Sequence, residues 1–140
     1  IHISGLRPVS VTAFEMPFNE RMKRMGAKAG NAAVEMITLE NGAVDEAQVE
    51  RMVAYAMEHG VNYFDTAWPY HNGESERVIG RALAKYPRES WYLATKYPGH
   101  QLSSKGYDPS VYFEAQLEKC GVEYFDYYLL HGIEAGSYPH

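Results

Sequence analysis

The sequence has one cysteine, Cys120. A lone thiol excludes an internal disulfide and offers no metal-knuckle spacing, so a reducing, cytoplasmic compartment is the natural expectation. Long apolar runs are missing too. Nothing approaches the roughly 18 residues of a membrane span, and the most apolar stretch, Tyr124 to Leu130, is interrupted by Asp126. No signal-peptide pattern opens the chain. It begins with Ile1 and not Met, which points to a start that is processed, trimmed or not included. Basic residues are in deficit: 13 Lys and Arg against 18 Asp and Glu give a formal net charge of −5. That balance disfavours a general nucleic-acid binder, which needs a basic footprint. The cluster Arg21, Lys23, Arg24 and Lys28 is too small to reverse it. No Gly-x-Gly-x-x-Gly follows any strand candidate, which weighs against a Rossmann dinucleotide site. His71, His100 and His131 invite a metal reading, and His131 with Glu134 has an H-x-x-E spacing. Neither His-x-His nor His-Glu-x-x-His occurs, so no metal site is expected.

What remains is a globular chain. Its 140 residues suit one domain, with 46% hydrophobic and 22% charged residues, and its 12 tyrosines promise an aromatic core. Residues 1–40 are poorly assigned. Val9 to Phe14 and Ala32 to Leu39 are possible strands, Asn19 to Met25 is a short charged helix, and Asn41-Gly42 is a plain turn.

From Asp45 the pattern sharpens. Asp45 and Gln48 have capping-box spacing. Val49, Met52, Val53, Ala56 and Met57 fall on one helical face, and Gly60 stops the helix. Strand Val61 to Phe64 follows. A second helix starts near Gly73 to Ser75, buries Val78, Ile79, Ala82 and Leu83, and ends at Pro87. Strand Trp91 to Thr95 comes next, then a loop from Tyr97 to Tyr107. Asp108 and Pro109 open a third helix, with Phe113, Leu117 and Cys120 on one face and Gly121 as its stop. Strand Tyr124 to Leu130 is last. Strand starts about thirty residues apart match successive βαβ steps, so the three strands are expected to lie parallel in one sheet. Spacing alone does not separate an open sheet from part of a barrel.

Each strand delivers an ionisable residue at its C-terminal end: Asp65, Lys96 and His131, with Tyr70 in the loop after Asp65. Parallel strands lie about 4.8 Å apart, so these groups would gather at one sheet edge. A free phenol has a pKa near 10, too high for good acid–base work at neutral pH. An adjacent ammonium favours the phenolate, and Lys96 is the candidate, with Asp65 to hold it. Taken singly, Asp65 could be a cap, Lys96 a solvated strand-end lysine, His131 a structural histidine and Tyr70 one more tyrosine. Trp68 and Trp91 read as packing residues, although Trp68 could line a substrate pocket. Asp126 reads as a structural pair or cap, and Cys120 as buried packing.

The motifs Asp65-Thr66-Ala67-x-x-Tyr70, Asn72-Gly73-Glu74-Ser75-Glu76, Ala94-Thr95-Lys96 and Tyr127-Tyr128-Leu129-Leu130-His131 resemble the aldo/keto reductase superfamily, most closely its bacterial branch. The resemblance covers roughly Asp45 to Gly132. It implies an α/β fold of parallel (β/α) units, the first half of a TIM-type (β/α)8 barrel, with residues 45–131 as the family-like core of one incomplete domain. It implies reduction of an aldehyde or ketone with NADPH, or less often NADH. The family's catalytic tetrad falls on Asp65, Tyr70, Lys96 and His131. Asp65, Lys96 and His131 would face the cofactor, and Trp68 and His131 the substrate. Gly30 to Met36 resembles the family's first strand and turn only faintly. A whole barrel needs about 250 residues, and the family's main cofactor phosphate site lies on later strands. The expectation is therefore either a homo-oligomer or a C-terminal half missing from this sequence, carried by the same protein or by a separate chain. The alternative is a non-catalytic half-barrel, a fragment or assembly module.

Overall fold

The computed structural model describes residues 43–99 and 108–132 in full, and residues 8–10, 13–16, 31–34 and 38–39 by their backbone. The short helix expected at Asn19 to Met25, the turn at Asn41-Gly42, most of the loop up to Tyr107, His100 and Glu134 lie outside the described residues.

Among the described residues four N-terminal strands come first: β1 (Pro8–Ser10), β2 (Ala13–Met16), β3 (Asn31–Val34) and β4 (Thr38–Leu39). β2 pairs antiparallel with β3, and β1 with β4. These described segments overlap the two strands expected from sequence, Val9 to Phe14 and Ala32 to Leu39, and pair across from one to the other. Ala13 faces Val34 and Pro8 faces Leu39, so one register runs through both pairs, with an irregularity between Pro8 and Ser10.

Helix α1 (Glu46–Glu58) begins where Asp45 accepts the Gln48 N–H at 3.0 Å. It ends in a Schellman turn: Gly60, at φ 83°, donates to Met57 O and Val61 to Ala56 O. Strand β5 (Tyr63–Asp65), helix α2 (Ser75–Leu83), strand β6 (Tyr92–Tyr97), helix α3 (Pro109–Cys120) and strand β7 (Tyr127–Leu130) follow. Asp108 caps α3 by accepting from both the Ser110 N–H and its hydroxyl. These two bonds hold the Asp108 carboxyl below its ordinary range, the hydroxyl bond having the larger effect.

β5, β6 and β7 form one parallel sheet in that order, as the spacing predicts. Each strand starts one to three residues later than expected. The largest shift has a physical cause. Asp126 donates its N–H to Leu93 O at 3.0 Å, while its own carboxylate accepts the Leu93 N–H at 2.8 Å. A side chain thus takes the place of a main-chain ladder partner, and regular pairing begins only at Tyr127. α2 also stops before Pro87, at Leu83, and Arg88–Ser90 forms a separate 3-10 turn.

Register and alternation divide the sheet into two faces. Phe64, Leu93 and Thr95 point to the helices. The buried core there comprises Val49 and Val53 from α1, Val78, Ile79, Ala82 and Leu83 from α2, and Trp91, Leu93 and Cys120. Tyr63, Asp65, Tyr92, Ala94, Lys96 and Tyr127 share the opposite face. α2 and α3 meet closely at Gly80, where a Cβ would stand 2.1 Å from Cys120 O. Burial, chiefly, with the Glu76 carboxylate adding to it, pushes the Cys120 thiol up to about 12.

Candidate active site

Asp65 is the last residue of β5 and pairs with Ala94. Lys96 lies two residues further along β6, so the two side chains leave the sheet on the same face. The Lys96 ammonium contacts Asp65 Oδ1 and donates to Thr66 O at 2.8 Å. Its side chain is 13% exposed and that of Asp65 41%, so the pair is closed on the lysine side and open on the carboxylate side.

Tyr70 follows on a short 3-10 turn, Tyr70–Gly73. Its ring centroid lies 5.0 Å from Lys96 Nζ. The ring also meets the His131 ring edge-on, with centroids 5.6 Å apart at 85°. His131 follows β7 directly and donates its N–H to Tyr97 O. The four side chains expected from sequence therefore gather at the C-terminal end of the sheet, with Tyr70 between the ammonium and the imidazole. Tyr70 is 38% exposed, so a small molecule can reach it. Trp68, expected to line a substrate pocket, lies with its ring 3.5 Å from Lys119 Nζ and edge-on to Tyr112 at 5.4 Å, both on α3.

Behind this cluster lies a buried polar network that no motif in the sequence announces. Glu76, in the first turn of α2, is fully buried. Its Oε1 accepts from the Thr95 hydroxyl at 2.7 Å and from Gln116 Nε2 at 2.6 Å. The same Gln116 amide reaches Lys96 O at 3.1 Å, and its Oε1 accepts from the Tyr128 hydroxyl. Burial, with Glu76 nearby, raises the Tyr128 phenol to about 12 and keeps it a donor. Glu76 Oε2 stands 3.6 Å from Lys119 Nζ, an ion pair and not a hydrogen bond. Thr66 and Ser75 join their hydroxyls at 2.8 Å across the base of the Tyr70 loop. A signal was present in the sequence. Gln116 occupies the i+3 place on the Phe113, Leu117, Cys120 face, and Glu76 the i−3 place to Ile79.

Among the described residues no helix is long and apolar enough to cross a membrane, and no three His, Cys, Asp or Glu residues cluster to hold a metal ion.

Parallel strands joined by helices, with ionisable side chains gathered at the strands' C-terminal ends, define an α/β protein built on parallel (β/α) units. The model of the Aldo/keto reductase family matches residues 34–138. An aldo-keto reductase of Mycolicibacterium smegmatis is 41% identical over 85 residues, 59% of this chain and 29% of the relative. One from a Mycobacterium species is 36% identical over 102 residues, 71% of this chain and 34% of the relative. The crystal structure of an aldo-keto reductase from Klebsiella pneumoniae in complex with NADPH superposes with a TM-score of 0.54 at 29% identity. That match covers 64% of this chain and 30% of the other. The chain belongs to the aldo/keto reductase family. It spans about a third of the length of the curated relatives it matches, and its β/α units are early units of their (β/α)8 barrel.

Proposed function

We propose that the protein containing this chain reduces an aldehyde or ketone to the alcohol with NADPH, and that residues 45–131 are the family core of one incomplete domain. The observation that carries the reading is the Asp65–Lys96 pair set against the Tyr70 ring, on one face of the sheet and open to small molecules. The nicotinamide supplies the hydride when bound. The donor set suits that chemistry: one ammonium, one phenol and one imidazole converge on the same space. Asp65, Lys96 and His131 are the residues of this chain that would face the cofactor.

In this reading Tyr70 gives its hydroxyl proton to the carbonyl oxygen as charge builds there. Lys96 stabilises the phenolate left behind. Asp65 and Thr66 O hold the ammonium between them and fix its direction. His131 donates a hydrogen bond to the substrate oxygen and orients it. Tyr70→Phe tests the assignment. General acid catalysis is worth about 10²–10⁴-fold, so carbonyl reduction by the full-length protein should fall by that order while NADPH binding is nearly unchanged. Reduction near the wild-type rate would remove Tyr70 from the mechanism.

A specific observation favours association as a second property. Among the described residues β7 is paired on one side only, and Leu129 and Leu130 are 40% and 51% exposed. An open apolar strand edge invites another strand, whether from the remainder of the barrel or from a second copy. Sedimentation of the 140-residue chain should show self-association. One compact monomer at high concentration would count against it. A cytoplasmic location is part of the proposal, in keeping with the single cysteine, Cys120, being free.

A further inference from the structure

The loop between β5 and α2 contains a costly turn. His71 and Asn72 have φ of 51° and 55°, and Gly73 has φ of 88°. Left-handed backbone is sterically unfavourable at a non-glycine residue. Such a turn persists only where its surroundings over-determine it. Tyr70 immediately precedes these three residues, so whatever holds the turn also sets where the phenol points.

One side chain from a distant element touches the loop on both sides of Tyr70. Lys119, near the end of α3, donates to Gly73 O at 3.3 Å. Its ammonium stands 3.5 Å over the ring of Trp68, two residues before Tyr70. Glu76 Oε2, three residues past Gly73 and fully buried, lies 3.6 Å away. The lysine is itself only 13% exposed, so water screens these contacts little. The other Glu76 oxygen already serves Thr95 and Gln116, which reach β6 beside Lys96. The same buried carboxylate thus faces the strand of one active-site residue and the loop of another.

We propose that Lys119 is a positioning residue for Tyr70. It clamps the left-handed turn by its charge on Gly73 O and the Trp68 ring, and Glu76 keeps that charge in place. The proposal rests on the reading of Tyr70 as proton donor. It makes Trp68 part of the clamp, on the helix side of the loop.

A merely structural Lys119, present only to neutralise Glu76, predicts different results. The test uses the full-length protein, with hydrogen exchange of the loop amides and steady-state reduction of an aromatic aldehyde by NADPH. Lys119→Met should speed exchange at residues 70–75 by about tenfold or more, because a desolvated cation–π contact and a charged hydrogen bond are lost. Amides of α1 should keep wild-type protection. The kcat should fall by a similar factor with KM for NADPH little changed, and Lys119→Arg should restore much of both. Tyr70→Phe combined with Lys119→Met should be no slower than Tyr70→Phe alone, because the clamp acts through the phenol. Should Lys119→Met unfold the protein by stranding Glu76, the pair E76Q/K119M removes both charges and carries the same test. Wild-type exchange at residues 70–75 in that pair would overturn the proposal. So would losses that simply add to that of Tyr70→Phe. If Tyr70→Phe is itself fully active, the proton-donor reading fails, and the exchange measurement still judges the clamp.

Discussion

Gly80→Ala offers a direct measure of how α2 and α3 are held together. Two effects oppose each other. Alanine favours the helical state over glycine by about 1 kcal/mol in a helix interior, so an exposed site would become more stable. At Gly80 the added Cβ would lie 2.1 Å from Cys120 O, 2.6 Å from Cys120 C and 2.8 Å from Cys120 Cα. All three atoms are backbone, and no rotamer change relieves the clash. Carbon atoms sit comfortably at about 3.5–4.0 Å, so the helices must part by roughly 1 Å or more. Parting them loosens Ile79, Leu83 and Cys120 in the core and stretches the Gln116–Glu76 bond at 2.6 Å. Overpacking costs about 1–3 kcal/mol and occasionally more. Adding loss of the buried hydrogen bond, about 1–3 kcal/mol, the clash exceeds the propensity gain. We expect net destabilisation of about 2–4 kcal/mol. Urea unfolding followed by far-UV circular dichroism reads it as a lower midpoint at unchanged slope. A midpoint equal to or above wild type would refute the close approach of the helices.

Gly121 supplies the contrast: at φ 64° with nothing within 4 Å of a Cβ, Gly121→Ala should cost only the left-handed strain, about 1–2 kcal/mol, in the same urea titration. Asp126→Ala removes the acceptor of both the Leu93 N–H and the Arg88 guanidinium, which lies about 4 Å from the Trp91 and Tyr124 rings; a loss of roughly 2–3 kcal/mol is expected, with faster amide exchange at Leu93. Asp45→Ala removes the cap of α1 and should cost about 1 kcal/mol, seen as a lower melting temperature. The pH dependence follows chiefly from two of the three groups that the fold raises, Tyr127 being the third. Cys120, from 9.0, and Tyr128, from 10.0, are both pushed up to about 12. A raised folded-state pKa means that the stabilisation is whole below the unfolded value and lost as pH climbs through the folded one. Stability should therefore decline between about pH 9 and 12, and C120A/Y128F should flatten that decline in urea midpoints measured across the range.

Much of the architecture was legible because it is local. Asp45, Asp108, Gly60 and Gly121 mark helix ends through groups within a few residues of themselves, and each acts where expected. Strand order and parallel pairing followed from connection length, since a thirty-residue step with a helix returns the chain to the same edge. The gathering of Asp65, Tyr70, Lys96 and His131 at one sheet end followed from the same register. Tertiary structure alone decided the rest. Glu76 was legible only as part of the Asn72–Glu76 motif, and no motif included Lys119. They are buried because α2 and α3 close over Thr95, and the groups that make Glu76 tolerable come from residues 19, 40 and 43 positions away. Trp68 looks toward α3 because a cation there stands over its ring. Asp126 delays β7 because the N–H that its carboxylate accepts belongs to another strand. A cap or a stop is written in neighbouring residues. A buried charge is stable only with partners that the folded chain brings from elsewhere, and their identity becomes readable only once the elements have packed.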